Sequence, residues 1–222
     1  MADDLDNPIW VALTGPHARY AEVRGRAARY QPEFSPFHAV AGPDGWADLA
    51  RLAEPGGVVA MSGPHLAAPP GWAVTGRWPG VQLTGERVTG EPDPEAVTLT
   101  AADAPEMLDL VARTDPGPFR KRAVELGRYL GIRRGGALVA MAGERLRVPG
   151  WTEISAVCTD PAHRGQGLAG RLTRAIAYGI RQRGDLPFLA TTAANTGALR
   201  LYEALGFTRS RDVLFMIYRA PL

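Results

Sequence analysis

Residues 164–170, with the sequence RGQGLAG, lie between a predicted strand and a predicted long helix. The three glycines can adopt backbone conformations that other residues disfavour, so successive N–H groups can turn toward one point. The amino end of the following helix adds roughly half a positive charge there. Together, the glycines and the helix end predict an anion site suited to a pyrophosphate.

The same glycines also match the dinucleotide-binding fingerprint, and Asp185 follows about twenty residues later. The surrounding sequence does not fit that fingerprint. In a Rossmann unit the first glycine follows its strand almost at once, whereas residues 160–164 intervene here, and Asp185 precedes a strand instead of ending one. No Gly-Lys-Ser/Thr sequence follows, which excludes a P-loop. A dinucleotide-dependent enzyme is therefore disfavoured.

The pattern after residue 96 predicts the element order β-α-α-β-β-β-α-β-α-β-β. The long helix, over residues 165–183, has an apolar stripe formed by Leu168, Leu172, Ile176 and Ile180. Asn195 is a good N-cap for a helix over residues 196–205. The remaining helices are predicted at 102–113 and 120–126, and strands at 97–100, 129–134, 137–147, 153–159, 188–192, 207–209 and 213–219.

At the glycine segment the sequence resembles the GCN5-related N-acetyltransferases, abbreviated GNAT. Their pyrophosphate motif, Gln/Arg-x-x-Gly-x-Gly/Ala, is matched by residues 162–167, AHRGQG. Ala162 departs from the motif, which leaves backbone amides to carry most of the binding. The flanking sequences VCTDP at 157–161 and LYEALGF at 201–207 also match, and the resemblance covers about residues 97–222. Residues 114–119 and the preceding lobe are similar to the FR47-like branch, to which glycine N-acyltransferases are similar.

The resemblance implies a mixed α/β chain, an acyl-CoA N-acyltransferase fold with an extra N-terminal α/β lobe. Its twisted, mostly antiparallel sheet would bind acetyl-CoA, as co-substrate, where two central parallel strands splay apart. The residues implied in cofactor binding are Val157, Cys158, Thr159, Arg164, Gly165, Gln166, Gly167, Leu168, Ala169, Gly170 and Asn195.

The resemblance also suggests the catalytic pair. Glu153 is the candidate base that takes a proton from the acceptor ammonium, although a strand-end Glu can also simply face water. Tyr202 is the candidate acid for the CoA thiolate, although its ring could instead only pack on the sheet. Phe119 is the candidate acceptor contact. Cys158 could form an acyl-cysteine, but a small buried residue is the better interpretation because no base accompanies it in a nucleophile pattern.

A turn-rich segment, residues 84–94, separates two predicted domains, 1–95 and 96–222. In the first, we expect a helix at 44–53 and a strand at 57–61. This lobe is either a degenerate copy of the same fold or a wall that covers the substrate. Because all recognised motifs lie after residue 96, we expect a fragment that starts near Glu95 to bind acetyl-CoA if it folds.

Composition bounds the class of protein. The 222 residues carry a formal net charge of only +2, so nucleic acid is not an expected partner, and no apolar run approaches the ~20 residues of a membrane span. The start has no apolar h-region, which argues against a signal peptide. The single cysteine predicts a reducing cytoplasm. No metal-ligand spacing is found at His17, His38, His65 or His163.

The sequence therefore predicts a bacterial cytoplasmic enzyme that transfers acetyl from acetyl-CoA to a primary amine, by direct attack in a ternary complex. The acceptor would be a small molecule or a peptide, and a homodimer is an open hypothesis. The alternative is a non-catalytic acyl-CoA-binding regulatory module, which would bind CoA without turnover.

Overall fold

The computed structural model describes residues 4–63 and 67–222. The first residues of the chain and His65 lie outside this part, and so do the expectations that concern them. Within it, no helix is long and apolar enough to cross a membrane.

One eight-stranded mixed sheet forms the centre of the molecule. Its strands run in the order β4-β11-β5-β10-β9-β8-β7-β6, and β1, β2 and β3 form a second, three-stranded sheet. The strands are β1 Ala21–Arg24, β2 Ala27–Tyr30, β3 His38–Val40, β4 Val58–Gly63, β5 Ala73–Thr84, β6 Val97–Leu99, β7 Tyr129–Arg134, β8 Ala137–Val148, β9 Trp151–Thr159, β10 Leu186–Thr192 and β11 Thr208–Arg219.

Five α-helices pack on these sheets: α1 Pro8–Thr14, α2 Trp46–Ala53, α3 Ala104–Thr114, α4 Leu168–Gln182 and α5 Thr196–Ala204. The apolar stripe predicted for α4 is confirmed, because Leu168, Leu172, Ile176 and Ile180 are all buried in one core cluster with sheet residues. Each such side chain contributes roughly 1.5–3 kcal/mol by leaving water. The residues predicted as a helix at 120–126 form only a short 3₁₀ turn, Ala123–Leu126.

The side chains of two adjacent residues of β10 lie on opposite faces of the large sheet. Leu189 belongs to the cluster under α4, whereas Phe188 packs in a different cluster with Ile9 and Leu13 of α1. Because successive side chains of a strand point to opposite faces, α4 and the α1 layer cover opposite sides of the sheet. The segment that contains α1 and the three-stranded sheet β1–β3, called the N-terminal layer below, therefore covers one face of the large sheet.

The parallel pair expected at the centre is present and short. Strands β9 and β10 pair in parallel only at Trp151 with Leu186, Thr152 with Pro187, and Glu153 with Phe188. Both strands continue beyond these pairs, to Thr159 and Thr192, without pairing to each other. The two strands thus splay apart, as the acyl-CoA N-acyltransferase fold implies.

The sheet does not follow the predicted division at residues 95 and 96. Strand β5 precedes that boundary, yet it lies between β10 and β11 and pairs antiparallel with both. Strand β4 also precedes it and pairs with β11. The side chains of Val81 and Leu83 on β5 lie in the same core cluster as α4. The turn-rich segment is consequently a connection within one sheet.

Candidate active site

Two residues of the glycine segment, Gly165 and Gly167, have left-handed backbone conformations just before α4 begins. Gly165 has φ 78° and Gly167 has φ 73°, and a Cβ built on either residue would meet no atom within 4 Å. The helix therefore begins at Leu168 and not at Gly165 as the sequence predicted, because a right-handed α-helix requires negative φ and both glycines have positive φ. The open space beside both glycines lets a ligand approach the backbone closely.

This segment lines a cavity of about 370 Å³. Of the residues implied in cofactor binding, all but Gln166 line it: Val157, Cys158, Thr159, Arg164, Gly165, Gly167, Leu168, Ala169, Gly170 and Asn195. Gln166 is exposed outside the lining. The amino end of α4 and two open glycines thus face a cavity, which is the arrangement that binds a pyrophosphate.

Two polar side chains in this cavity have clear local roles. The Asn195 side chain accepts a hydrogen bond of 3.1 Å from the Ala198 backbone N–H, which confirms the predicted cap of α5. Thr159 Oγ1 is buried and has no hydrogen-bond partner among the described residues. Because buried hydroxyls are rarely left unpaired, a polar atom of a bound cofactor fits beside Thr159.

Strand β9 carries a bulge at the cavity, which the sequence did not indicate. Met141 pairs with Cys158 and Gly143 with Ser155, so two residues of β9 stand opposite one residue of β8. Ala156 has φ 53°, a strained conformation for a residue other than glycine. A bulge turns backbone groups away from the ladder, and bulges are common beside active sites. Val157, which lies within this bulge, lines the cavity.

Tyr202, the candidate acid, lies on α5 with its side chain mostly buried. Burial and the nearby Cys158 raise the pKa of its hydroxyl to about 12. Its ring packs edge-on against Phe207 at 6.0 Å, and the residue lines the cavity. The side chain therefore both packs in the core and keeps a protonated hydroxyl at the cavity.

Cys158 is buried, and this burial raises the pKa of its thiol to about 11. The thiolate is the nucleophilic form, and at this pKa it is scarce near neutral pH. The thiol lies in a cluster with Met107, Leu110 and Tyr129. These observations favour the packing interpretation over an acyl-cysteine.

Glu153, the candidate base, is almost fully buried on β9. It lines neither the cavity at the glycine segment nor the second cavity described below. Both of its carboxylate oxygens accept hydrogen bonds from Arg145, at 2.8 and 2.7 Å. Burial is the largest influence on the pKa of Arg145 and lowers it, but the charge and hydrogen bonds of Glu153, together with Tyr129 and Tyr30, leave that pKa raised, so the guanidinium stays charged. Its guanidinium also lies over the ring of Phe37 at 4.9 Å. The sequence reasoning missed Arg145, because a pair across two strands has no local signal.

Phe119, the candidate acceptor contact, does not line a detected cavity. Its ring packs edge-on against Tyr129 at 5.7 Å. The neighbouring residues Pro118 and Arg120 line a second cavity instead. Residues of the same loop thus line the second cavity, whereas the side chain of Phe119 turns inward to its apolar partners.

The second cavity, of about 1100 Å³, lies between the N-terminal layer and the large sheet. Its wall includes Tyr30, Ser35, Phe37 and His38 from the N-terminal layer, together with Arg145 of the sheet. Burial lowers the pKa of His38 to about 4, so this side chain is neutral near pH 7. Six residues line both cavities: Asp115, Pro116, Val157, Asn195, Ala198 and Tyr202. The two cavities therefore meet at the bulged strand and at Tyr202.

Splayed parallel strands, a bulge, a glycine segment at a helix start and two adjoining cavities together form one candidate active site with space for two substrates. In residues 4–63 and 67–222 no cluster of His, Cys, Asp or Glu could hold a metal ion.

Comparison with known proteins identifies the family. The model of the FR47-like protein family matches residues 129–216. The N-alpha-acetyltransferase RimI of Mycobacterium tuberculosis is 37% identical over 131 residues, which cover 53% of this chain and 82% of RimI. A GNAT-family protein from Novosphingobium aromaticivorans has a TM-score of 0.93 at 37% identity, over 99% of this chain and 100% of that protein. The chain belongs to the GCN5-related N-acetyltransferases and is an acyltransferase.

Two further proteins show how far the assignment extends. Mycothiol acetyltransferase of Thermobispora bispora is 48% identical over 65 residues, which span 28% of this chain but only 22% of that enzyme. A GCN5-related N-acetyltransferase from Kribbella flavida shares the fold, with a TM-score of 0.64 at 18% identity over 98% of this chain and 96% of that one. Acetyl transfer is thus common to the named relatives, whereas their names point to different acceptors.

Proposed function

We propose that this protein transfers the acetyl group of acetyl-CoA to a primary amine, by direct attack within a ternary complex. The observation that carries the proposal is the meeting of two cavities at Val157 and Tyr202. A thioester held along the glycine segment would present its carbonyl at this junction. An amine in the second cavity would reach it without a covalent enzyme intermediate, since Cys158 is a protonated thiol.

The balance of the reaction assigns a task to each group. A neutral amine nitrogen attacks the thioester carbonyl carbon, the C–N bond forms, and the C–S bond breaks. Tyr202 donates its proton to the departing sulfur, and the second proton of the nitrogen restores the hydroxyl. The ammonium and thioester thus become an amide, a free thiol and one released proton. The bulged backbone beside Val157 is suited to stabilise the carbonyl oxygen as it gains charge.

The base that receives the first ammonium proton remains a hypothesis. Glu153, chosen from the sequence, would have to act from beside Arg145 and through water, because its carboxylate lies outside the cavity linings. A cytoplasmic location, inferred from the single cysteine, and a homodimer are likewise proposals.

Cofactor binding and amine-dependent turnover together test this function. Acetyl-CoA should raise the melting temperature, because a ligand that binds only the folded state stabilises it, whereas NAD and ATP should not. Mixing acetyl-CoA with alkylamines, amino acids and peptides that have free amino termini should release free thiol in proportion to acetylated product. CoA binding without thiol release from any acceptor would instead support the regulatory module, and equal stabilisation by NAD would contradict the family's cofactor.

A further inference from the structure

Asp115 holds a distinctive place at the junction of the two cavities. It is one of the six residues that line both, and among the described lining residues it is the one carboxylate. The other ionisable side chains in the two linings are Arg29, Tyr30, His38, Arg120, Arg145, Cys158, His163, Arg164 and Tyr202. None of the four arginines lines both cavities, so at the junction itself Asp115 is the charged side chain that an ammonium group meets.

The backbone at Asp115 is held in a disfavoured conformation. The residue ends α3 with φ 45° and ψ 57°, in the left-handed region, where glycine or asparagine is more usual. Pro116 follows, and a proline favours an extended residue before it. The helix is closed by the backbone alone, because the Asp115 N–H donates to the Val111 carbonyl at 2.8 Å. The carboxylate is not needed for that cap. Strained backbone conformations of this kind cluster at functional sites, which favours a functional role for Asp115.

On its own helix, Asp115 lies where the nearest charges are negative. The carboxyl end of α3 already carries roughly half a negative charge, and the carboxylate adds to it. Arg113, the basic residue of the last turn, is engaged with Asp109 at 2.7 Å and with Asp160 at 3.1 Å. Asp115 forms no ion pair with any described residue, and it is an exposed residue that lines both cavities. A bound cation would offset both negative charges.

We propose that the Asp115 carboxylate binds the ammonium group of the acceptor at this junction. This proposal rests on the proposed function, and it names the chemical class selected: amines that are cationic in solution. Binding there would hold the acceptor nitrogen beside Val157 and Tyr202, where the thioester is expected. The role differs from that of Glu153, whose two oxygens are occupied by Arg145.

Asp115→Asn tests the proposal with little risk to folding, because asparagine tolerates the left-handed conformation and keeps the shape of the side chain. We expect the KM for the amine to rise roughly 10- to 100-fold, the usual effect of losing a charge-assisted hydrogen bond, with the KM for acetyl-CoA unchanged. The matched control is Asp109→Asn, on the same helix but outside both linings. An unchanged KM for the amine in Asp115→Asn would overturn the assignment.

A binding measurement separates this proposal from the proposed function. In the presence of CoA, thermal shifts are compared for butylamine and 2-phenylethylamine, each against the alcohol of the same skeleton. The wild-type protein should be stabilised more by each amine than by its alcohol, and Asp115→Asn should lose this preference. No preference in the wild type, or a preference retained in the variant, would overturn the role of Asp115. A preference lost in the variant, without acetylation of any amine by the wild type, would support Asp115 and contradict the proposed function.

Discussion

Burial has opposite chemical consequences for Tyr202 and Cys158, although it acts on both in the same direction. It raises the pKa of the phenol to about 12 and that of the thiol to about 11. A thiol that keeps its proton is a poor nucleophile, whereas a phenol that keeps its proton remains able to donate it. The same apolar surroundings therefore disfavour an acyl-cysteine and suit Tyr202 to the role of acid.

Replacing Tyr202 with Phe keeps the edge-on packing on Phe207 and removes only the hydroxyl. We expect kcat to fall roughly 100- to 10,000-fold, the usual contribution of general acid catalysis, while the Kd for acetyl-CoA stays nearly unchanged. Steady-state kinetics on a confirmed acceptor, together with titration of acetyl-CoA, measure both quantities. The control is Tyr178→Phe on α4, whose side chain lines neither cavity. Full turnover in Tyr202→Phe would remove the acid from the mechanism.

The dependence of the wild-type rate on pH should also reflect the raised pKa of Tyr202. An acid acts in its protonated form, and a hydroxyl with a pKa of about 12 stays protonated at every pH below that value. The rate should therefore rise with pH as the amine loses its proton. At pH values under about 11, ionisation of Tyr202 should not reduce the rate. An alkaline limb near pH 9, present in the wild type and missing in Tyr202→Phe, would contradict the burial of this hydroxyl.

At the scale of single elements, the sequence predicted what depends on neighbours along the chain. The stripe of α4, the Asn195 cap and the hairpin at Gly135 and Gly136 all follow from residues a few positions apart, and both hairpin glycines have positive φ. Strand β5 escaped prediction because Gly76, Pro79 and Gly80 suggest a loop, although tertiary pairing with two strands holds it extended. Residues 207–209 and 213–219, predicted as two strands, form the single strand β11 with an irregularity near Arg211.

The candidate site divides in the same way. Its glycine segment and Tyr202 could be chosen from the sequence because their motifs are contiguous. The Ala156 bulge could not, since its strain arises from pairing between β8 and β9 and alanine gives no signal for positive φ. The pairing of Arg145 with Glu153 depends on the same ladder, and it changes the environment in which a base would work.

The glycine segment permits a matched test of backbone geometry. Gly167→Val places a branched side chain at φ 73° in the space where phosphates would approach, so acetyl-CoA should no longer raise the melting temperature. Gly150→Val is the control, because Gly150 has the same φ of 73° and open surroundings but lies in the turn between β8 and β9, away from the cavity. Both variants should lose stability, roughly 1–2 kcal/mol or more, from left-handed strain alone. Loss of the acetyl-CoA shift in both would show that strain, and not the phosphate site, is responsible.

At the scale of the whole molecule, β5 joins the two halves of the chain. It hydrogen-bonds to β10 along one edge and to β11 along the other, so the sheet is continuous only when residues 73–84 are present. The last strand, β11, would lose both of its neighbours, β4 and β5, if the chain began at residue 95. The catalytic motifs are local to the later part of the chain, but the sheet that supports them is not.

A fragment of residues 95–222 should therefore fail to fold alone, so the condition attached to the expectation from the motifs, that the fragment folds, would not be met. It would leave Leu83 and Val81 out of the core under α4 and would leave strand edges unpaired. Circular dichroism during urea titration should show no cooperative transition, and acetyl-CoA should not alter the signal. Co-expression with residues 1–94 is the control and should restore both. A cooperative, acetyl-CoA-binding fragment would mean that β5 is dispensable.

The junction of the two cavities also bears on how such a protein can change over evolutionary time. The proposed cofactor side includes Gly165 and Gly167, which offer a ligand only backbone, so side-chain replacement has little to alter there. The wall of the proposed acceptor side includes residues of the N-terminal layer, such as Phe37 and His38. Drift in that layer can thus exchange one amine for another while the donor is retained. Related chains with different acceptors should accordingly diverge fastest in the layer that contains β1, β2 and β3.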